Sequence, residues 1–268
     1  DTGFLHAGAY VAYFLIILYV GRRYYTRIFL DALTFKKDDT GAAGAARVFL
    51  LALTAFTVLL ISIGLDWFLA VIFSLSLILF LLVFTRIICE SGIPFLQACF
   101  KPDDLIIGIL GPVAVGPAAV VLVRYLSTIL VQDPREALMP FVSTGLKLTE
   151  DTGIAPKRMV SPMIGTGIIA LVVALFVAGW SIYNFGAGSD RYSMSLVPWK
   201  TFKQKTLDIG EIQNVGLYSE AQHASGLQKL GLIRLANESM PFIAAGFVLV
   251  LAVSMMRFRF AWFKLHPV

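Results

Sequence analysis

The amino-acid sequence predicts an all-α, polytopic transmembrane helical bundle, and three observations lead to this fold class. Of the 268 residues, 58% are hydrophobic and only 15% are charged, whereas a soluble domain usually carries about 25% charged residues. The mean hydropathy is +0.80. Five apolar runs are each long enough to cross the roughly 30 Å of bilayer hydrocarbon as a helix, the form in which a spanning backbone satisfies its own hydrogen bonds. We therefore expect one membrane domain over residues 1–268, with five or six membrane segments.

The membrane segments follow from the apolar runs in chain order. Five clear runs occupy residues 4–20, 48–65, 67–85, 163–185 and 240–256. A sixth run, 105–123, has the sequence LIIGILGPVAVGPAAVVLV, with glycine and proline in its interior. Proline inside a helix removes a hydrogen bond and clashes with the preceding turn. This sixth segment is therefore predicted to be kinked, broken or re-entrant.

The distribution of basic residues predicts the topology. The segment 21–47 holds six basic residues, which predicts a cytoplasmic loop. If 105–123 dips into the membrane and returns, the basic segment 124–161 and the basic C-terminal run are also cytoplasmic; a full crossing places both outside. We favour the re-entrant form. The long polar loop 186–239 is then extracytoplasmic, with a short helix near 226–236 that lies at the membrane interface or packs on the bundle.

The third run ends in RIICESGIPFLQACF, which combines a charge pair with a helix breaker. Arg86 and Glu90 are four residues apart and share a face of a helix. Gly92 and Pro94 then interrupt the chain, and Gln97 follows. In one interpretation these five residues line a transport path, because broken helices in transporters expose backbone groups to substrate. In the other, Arg86 extends to the cytoplasmic interface, Glu90 pairs with it, and the glycine and proline form an ordinary turn. The pattern alone leaves both open.

Weaker candidates lie at the start of the sixth run and within it. Small residues there either let helices approach closely or make room for a substrate. Asp103 and Asp104 precede the apolar run, where acidic side chains favour a helix N-terminus; we favour that role over an ion site. The secondary candidates are Asp104, Gly111, Pro112, Gly116 and Pro117.

Several function classes have no support in the sequence. The two cysteines, Cys89 and Cys99, fit no CxxC pattern, and His6, His223 and His266 are too scattered to predict a metal site. There is no GxSxG, HExxH or P-loop motif. The net charge of +5 comes without a basic stripe interleaved with aromatic residues. We therefore expect no enzyme, no cofactor and no nucleic-acid partner.

Three stretches together resemble a known family. RIICESGIPF, with Arg86, Glu90, Gly92, Pro94 and Phe95, resembles a motif of uncharacterised bacterial proteins in the oligopeptide-transporter-like superfamily. DPREALMPFVSTGLKL and RFRFAWFKLHPV are similar to segments that follow that motif in the same proteins. The resemblance implies a polytopic transporter of the bacterial cytoplasmic membrane, which moves peptides or metal chelates with protons. Because such proteins have more than a dozen helices, it also implies a partial or split member that packs with further helices.

Two hypotheses about function follow. In the first, the chain is a secondary transporter or a portion of one, with Glu90 coupling transport to protons, since a buried carboxylate can hold a proton near neutral pH. In the second, it is a non-transporting structural or accessory subunit of a larger membrane complex. Both place the chain in a lipid bilayer, and only the first requires a small peptide or chelate substrate.

Overall fold

The fold is an all-α bundle, as the sequence predicts. The computed structural model describes residues 2–35, 41–92, 100–131, 137–186, 203, 208–210, 212–233 and 239–260, and none of these residues lies in a β-strand. The helices are α1 Thr2–Leu33, α2 Ala42–Ser62, α3 Trp67–Ser91, α4 Pro102–Leu110, α5 Pro112–Val115, α6 Pro117–Val131, α7 Leu138–Asp151, α8 Pro156–Phe185, α9 Tyr218–His223, the 3-10 helix Gly226–Leu232, and α10 Met240–Arg259.

Five of these helices are long and apolar enough to cross a membrane, namely α1, α2, α3, α8 and α10. They correspond one to one with the five clear apolar runs of the sequence. The chain is thus a multi-pass membrane protein by the length and composition of its helices.

The first helix is longer than its apolar run, and this corrects the predicted loop 21–47. Residues 21–33 continue α1, and α2 already begins at Ala42, so the connection is much shorter than expected. Arginine is a good helix former, and this stretch contains no proline, so the change from apolar to basic composition does not end the helix. Residues 36–40 lie outside the described residues.

The second and third helices form a tight hairpin. Gly64 has φ of 103° in the turn, and Asp66 is the N-cap of α3, where its Oδ2 accepts a hydrogen bond from the Phe68 amide at 3.3 Å. We call this end of the bundle the Asp66 end, and the opposite end, where α3 stops before Gly92, the Gly92 end.

The sixth apolar run is broken twice, which confirms the prediction for 105–123. Gly111 has φ 79° and ψ 154°, and Gly116 has φ 87° and ψ 152°, a backbone region open essentially to glycine alone. A proline follows each glycine, Pro112 and Pro117, as the first residue of the next helix, where a missing N–H costs nothing. The result is a helical hairpin with α4 and α6 as its legs and α5 as its tip.

The hairpin begins beside the middle of α3. The ring of Phe100, just before α4, meets Tyr10 edge-on with centroids 4.8 Å apart, and meets Phe80 of α3 at 5.5 Å. The legs run antiparallel, since Lys101 Nζ donates to Thr128 Oγ1 at 3.3 Å near the open end. A core of α1, α3 and α10 side chains surrounds these rings, and a second core joins α2 and α3 to the hairpin.

Two glycines allow α1 and α10 to pack backbone to backbone. A Cβ on Gly8 would lie 1.9 Å from the carbonyl oxygen of Ile243, and one on Gly246 would lie 2.0 Å from that of Leu5. Such small residues are typical of close helix pairs in membranes. Because α1 and α10 run parallel, with Ile243 beside Gly8 and Ser254 beside the same cavity as Val20, the C-terminal part of α10 lies against α1 at the Gly92 end.

The polar segment after α8 packs on the Asp66 end of the bundle. Asp66 accepts the Gly226 amide at 3.0 and 3.1 Å, and the Lys229 Nζ donates to the Val115 carbonyl of α5 at 2.9 Å. Lys229 is only 5% exposed. The described part of the predicted helix 226–236, residues 226–233, therefore packs on the bundle, and Gly226–Leu232 is a 3-10 helix. The remainder of the predicted loop 186–239 lies largely outside the described residues.

Helix α8 differs from the other four long helices. None of the residues of its apolar span Arg158–Phe185 is buried within the chain, and its main packing partner is the short helix α7. Here Met163 lies over Gly145, where a Cβ would come within 3.2 Å of the Met163 Cε.

Candidate functional site

The predicted charge pair lies in the last two turns of α3. The helix continues to Ser91, beyond the end of the apolar run at residue 85, so Arg86 and Glu90 share a helix face as expected. The Arg86 Nε contacts the Glu90 Oε1, and the two side chains are 57% and 28% exposed. The sequence prediction of a pair is confirmed, and the burial is partial.

A third residue completes this site, which we call the Glu90 cluster (Tyr13, Arg86 and Glu90). The Tyr13 hydroxyl of α1 donates to the Glu90 Oε2 at 2.9 Å. Both carboxylate oxygens of Glu90 are therefore engaged, one by the guanidinium and one by the phenol. Tyr13 was not predictable from the sequence, because 77 residues separate it from Glu90 and it lies within an apolar run that also contains other tyrosines.

The Glu90 cluster borders a cavity between α1, α3 and α10. The cavity has a volume of about 430 Å³ and is partly open to the surroundings. It combines a polar wall from the cluster with an apolar wall from α1. The lining residues are Tyr13, Ile16, Ile17, Val20, Gly21, Tyr25, Arg86, Glu90, Ser254 and Arg257.

The helix break after the pair is located at Gly92. This residue has φ 68° and ψ 8°, and its N–H donates to the Ile88 carbonyl at 2.9 Å, a left-handed C-cap of the kind that commonly ends helices. Pro94 and Gln97, the other two predicted residues of this stretch, lie outside the described residues. Three of the five primary candidates are thus located, and all three are at the Gly92 end of α3.

A second group of charges, the Arg124 cluster (Asp103, Arg124 and Asp208), holds the helical hairpin. The Arg124 Nε and Nη2 donate to the Asp208 Oδ2 and Oδ1 at 2.6 and 3.1 Å, and Nη1 donates to the Asp103 Oδ2 at 3.1 Å. The side chains of Arg124, Asp103 and Asp208 are 10%, 5% and 12% exposed. All three guanidinium nitrogens are paired, so the geometry is of the bidentate type that makes a buried arginine tolerable.

Helix α4 starts within this cluster. The Lys101 amide donates to the Asp104 Oδ2 at 3.1 Å, so Asp104 does act at the helix N-terminus, as predicted. Asp103 does more, because its amide also donates to the Ser127 Oγ at 3.0 Å and its carboxylate binds Arg124. Within the described part of the chain, the buried Asp103 Oδ1 has no hydrogen-bond partner.

The charge balance of the Arg124 cluster and its neighbours is negative. Arg124 and Lys101 carry two positive charges against three negative charges on Asp103, Asp104 and Asp208, a formal sum of −1. Buried unbalanced charge is costly, so the group has the chemistry to take up a proton or to exchange one partner for another. Among the residues that the structure describes, no three His, Cys, Asp or Glu side chains are arranged to hold a metal ion together.

The remaining secondary candidates are not part of either cluster. Gly111, Pro112, Gly116 and Pro117 form the two breaks of the hairpin tip at the Asp66 end. There α5 contacts the 3-10 helix, and a Cβ on Gly116 would lie 2.9 Å from the Ala221 carbonyl oxygen. Their role is to turn the chain, and the structure does not bring them to the cavity beside Glu90.

The Arg124 cluster was missed because its partners are far apart in the sequence. Arg124 and Asp208 are separated by 84 residues, and Asp208 lies in the polar segment. The one indication was Arg124 itself, a single charge within the otherwise apolar helix α6. An ionisable residue in such a helix usually has a partner inside the protein, so Arg124 alone indicates a buried acidic partner.

These features define a class of protein, a multi-pass α-helical membrane protein with a twice-broken hairpin that carries buried charges. The chain belongs to a family of unknown function (DUF6785), whose family model matches residues 2–268. No curated protein and no solved structure matches the chain.

Proposed function

We propose that the chain is a secondary transporter of the bacterial cytoplasmic membrane, or a portion of one, similar to proton-coupled symporters of oligopeptides or metal chelates. The observation that carries the proposal is the twice-broken hairpin α4–α5–α6 with the buried Arg124 cluster between its legs. Discontinuous helices with paired charges are typical of secondary transporters, in which they bind substrate or coupling ions near the bilayer midplane.

The course of the hairpin supports the topology that this function needs. Its legs start beside Phe80, in the middle of α3, and its tip contacts the segment that packs on Asp66. A hairpin of this kind enters and leaves on one side. This favours the re-entrant form of 105–123, a cytoplasmic Gly92 end and an extracytoplasmic segment 186–239. The arginines Arg22, Arg86 and Arg257 near the Gly92 end agree with a cytoplasmic location of that end.

Within this proposal Glu90 is the proton-coupling residue. Its carboxylate lies between a guanidinium and a phenol at the wall of a cavity that an aqueous solute or proton can enter. Protonation of Glu90 would release Arg86, and the released guanidinium could then bind an anionic group of a substrate. The exchange links proton uptake to binding through a single carboxylate.

The test is uptake into proteoliposomes of a labelled mixture of tripeptides to pentapeptides, with and without an imposed pH gradient. Glu90→Gln should abolish the response to the gradient while the variant still binds peptide. The matched control is Glu150→Gln, which changes an exposed glutamate of α7 and should leave uptake unchanged. Uptake by Glu90→Gln that still follows the pH gradient would rule out the coupling role.

A second candidate function is supported by one specific observation. Helix α8 has an apolar span without a single buried residue, and such a surface suits contact with helices of another subunit. In this alternative the chain is a non-transporting structural or accessory subunit of a larger membrane complex. Neither function involves catalysis.

Photo-crosslinking in native membranes separates the two candidates. A photoreactive residue at Phe176 of α8, which is 74% exposed, is compared with one at Val58 of α2, which is 57% exposed. A subunit should give discrete protein adducts from Phe176 and lipid adducts from Val58. Lipid adducts alone from both positions would argue against the accessory role.

A further inference from the structure

The cavity beside Glu90 continues into a second hollow along α1 and α10. This hollow has a volume of about 510 Å³, is lined almost entirely by apolar atoms, and is partly open at the surface of the two helices. Ile16, Val20 and Ser254 line both spaces, so the two are contiguous. The residues of the hollow are Leu15, Ile16, Tyr19, Val20, Arg22, Leu251, Ser254 and Met255. A polar compartment thus adjoins an apolar one at the surface of the bundle.

Cationic groups surround the polar compartment. Arg257 lines it at the end of the apolar span Met240–Arg257 of α10, and within the described part of the chain it makes no hydrogen bond or ion pair. Arg86 leaves 57% of its side chain exposed, and Arg22 lines the adjoining hollow. Among the described residues that line the two spaces, Glu90 carries the one negative charge against these three positive charges, a local sum of +2.

A buried hydroxyl between the two compartments also lacks a partner. Ser254 is 5% exposed, and its Oγ forms no hydrogen bond among the described residues. It precedes Arg257 by three residues, so the two share a face of α10. A buried polar atom without a partner is rare, and here it lies at the junction of a cationic cavity with an apolar groove.

We propose that α1, α3 and α10 bind one anionic phospholipid at this place. Arg257 and Arg86 bind the headgroup phosphate, the Ser254 hydroxyl donates to a phosphate or ester oxygen, and an acyl chain lies in the groove beside Ile16 and Leu251. The depth of the site along the helices fits a headgroup, since Arg257 ends the apolar span and Tyr25 lines the same cavity, and aromatic residues are enriched at the headgroup layer. A local charge of +2 favours a monoanionic phosphodiester over a zwitterionic lipid. This site does not depend on transport.

Native mass spectrometry of the purified full chain in a mild detergent tests the site. Phosphatidylglycerol should remain bound as one molecule per chain and should raise the thermal unfolding temperature, and phosphatidylcholine at the same concentration should do neither. Equal retention of the two lipids would overturn the proposal, since the charge of the site would then have no effect.

Two arginine variants of α10 locate the site. Arg257→Gln should weaken phosphatidylglycerol binding about fivefold or more, the factor that follows from ~1 kcal/mol per arginine near an anionic lipid. Arg259→Gln removes the same charge two residues further along and does not touch the cavity, so it should change binding less than twofold. Equal losses in the two variants would show surface attraction without a site.

Soluble phosphates test whether the cavity binds a lipid headgroup or a free phosphate. Inorganic phosphate and glycerol 3-phosphate carry the headgroup charge without acyl chains. If the groove contributes, neither should raise the unfolding temperature at concentrations a hundredfold above that of phosphatidylglycerol. Protection by the soluble anions equal to that by the lipid would assign the cavity to a solute and overturn the lipid proposal.

Discussion

Two clusters in this protein are built from similar groups but differ in how the chain brings them together. The Glu90 cluster pairs Arg86 with a carboxylate four residues away on the same helix, and a tyrosine from α1 completes it. The Arg124 cluster joins two legs of a broken hairpin and a polar segment, with partners 21 and 84 residues from Arg124. The first lies at a partly open cavity, and the second is almost fully buried.

The difference in burial decides what each cluster contributes. An exposed ion pair is worth about 0–1 kcal/mol, because water screens it and two flexible side chains have to be ordered. Removing one partner of a buried pair costs about 3–5 kcal/mol, because it leaves a charge without compensation. We infer that the Arg124 cluster fixes the position of the hairpin, whereas the Glu90 cluster can open and close at little cost. A site that exchanges protons or ligands needs the second property.

The largest effect is expected from Arg124→Gln. The substitution removes the guanidinium that pairs with the buried carboxylates of Asp103 and Asp208, so unfolding in mixed detergent–SDS micelles should become easier by about 3–5 kcal/mol. Arg86→Gln, the matched change in the Glu90 cluster, should cost less than about 1 kcal/mol. Equal losses in the two variants would contradict the contrast in burial.

The next contrast is between the backbone at Gly116 in the hairpin tip and the backbone at Gly92 after α3. Gly116→Ala places a Cβ in a backbone region that is nearly restricted to glycine, 2.9 Å from the Ala221 carbonyl oxygen, and should cost about 2–3 kcal/mol. Gly92→Ala meets no atom within 4 Å and has ordinary left-handed angles, so about 1 kcal/mol is expected. The measurement is the same SDS titration. A larger loss for Gly92→Ala would mean that the break after α3 is the more constrained of the two.

A pH-dependent effect of medium size is expected at the Asp66 end. Burial lowers the pKa of Lys229 below the usual lysine value. Between its folded pKa and the unfolded value of about 10.4, the unfolded state binds more protons, so folding stability contributed by this group rises with pH. The stability of the wild type relative to Lys229→Met should therefore increase as the pH rises from 7.5 to 10. At pH 10 the wild type should be more stable by about 1 kcal/mol, because the hydrogen bond from Lys229 to the Val115 carbonyl remains.

The control for this prediction is Lys147→Met on α7. Hydrogen bonds to Asp151 and Glu150 raise the pKa of Lys147, so any stability it contributes is present at lower pH and decreases as the pH rises through that pKa. Both pH values lie below the unfolded lysine pKa of about 10.4, so thermal unfolding of the three proteins should show a difference that grows with pH for Lys229→Met and stays nearly constant for Lys147→Met. If the stability difference between the wild type and Lys229→Met shrank as the pH rises, this would contradict the conclusion that burial lowers the pKa of Lys229.

Local features of this protein were predictable, and contacts between distant segments were not. Apolar length located the five long helices, Gly-Pro pairs located the hairpin breaks at 111 and 116, and the four-residue spacing located the pair of Arg86 and Glu90. The pairing of Asp208 with Arg124 was missed because it depends on how the polar segment that contains Asp208 folds back on α6. The extension of α1 was missed because composition marks the end of an apolar run, and a helix ends only where capping or proline stops it.

The smallest change in stability, with the most specific consequence, is expected from Tyr13→Phe. The phenol donates to the Glu90 Oε2 in a partly exposed site, so its loss should cost no more than about 1 kcal/mol. The bond stabilises the carboxylate of the Glu90 cluster, so its loss should alter the exchange of a proton or a partner at Glu90. If Glu90 couples transport to protons, the pH optimum of peptide uptake should shift in Tyr13→Phe, whereas Tyr10→Phe, one turn away on the same helix, should leave it unchanged. The double variant Tyr13→Phe with Glu90→Gln should behave as Glu90→Gln alone, because the hydroxyl acts through the carboxylate. An additional loss in the double variant would mean that Tyr13 acts on the cavity independently of Glu90.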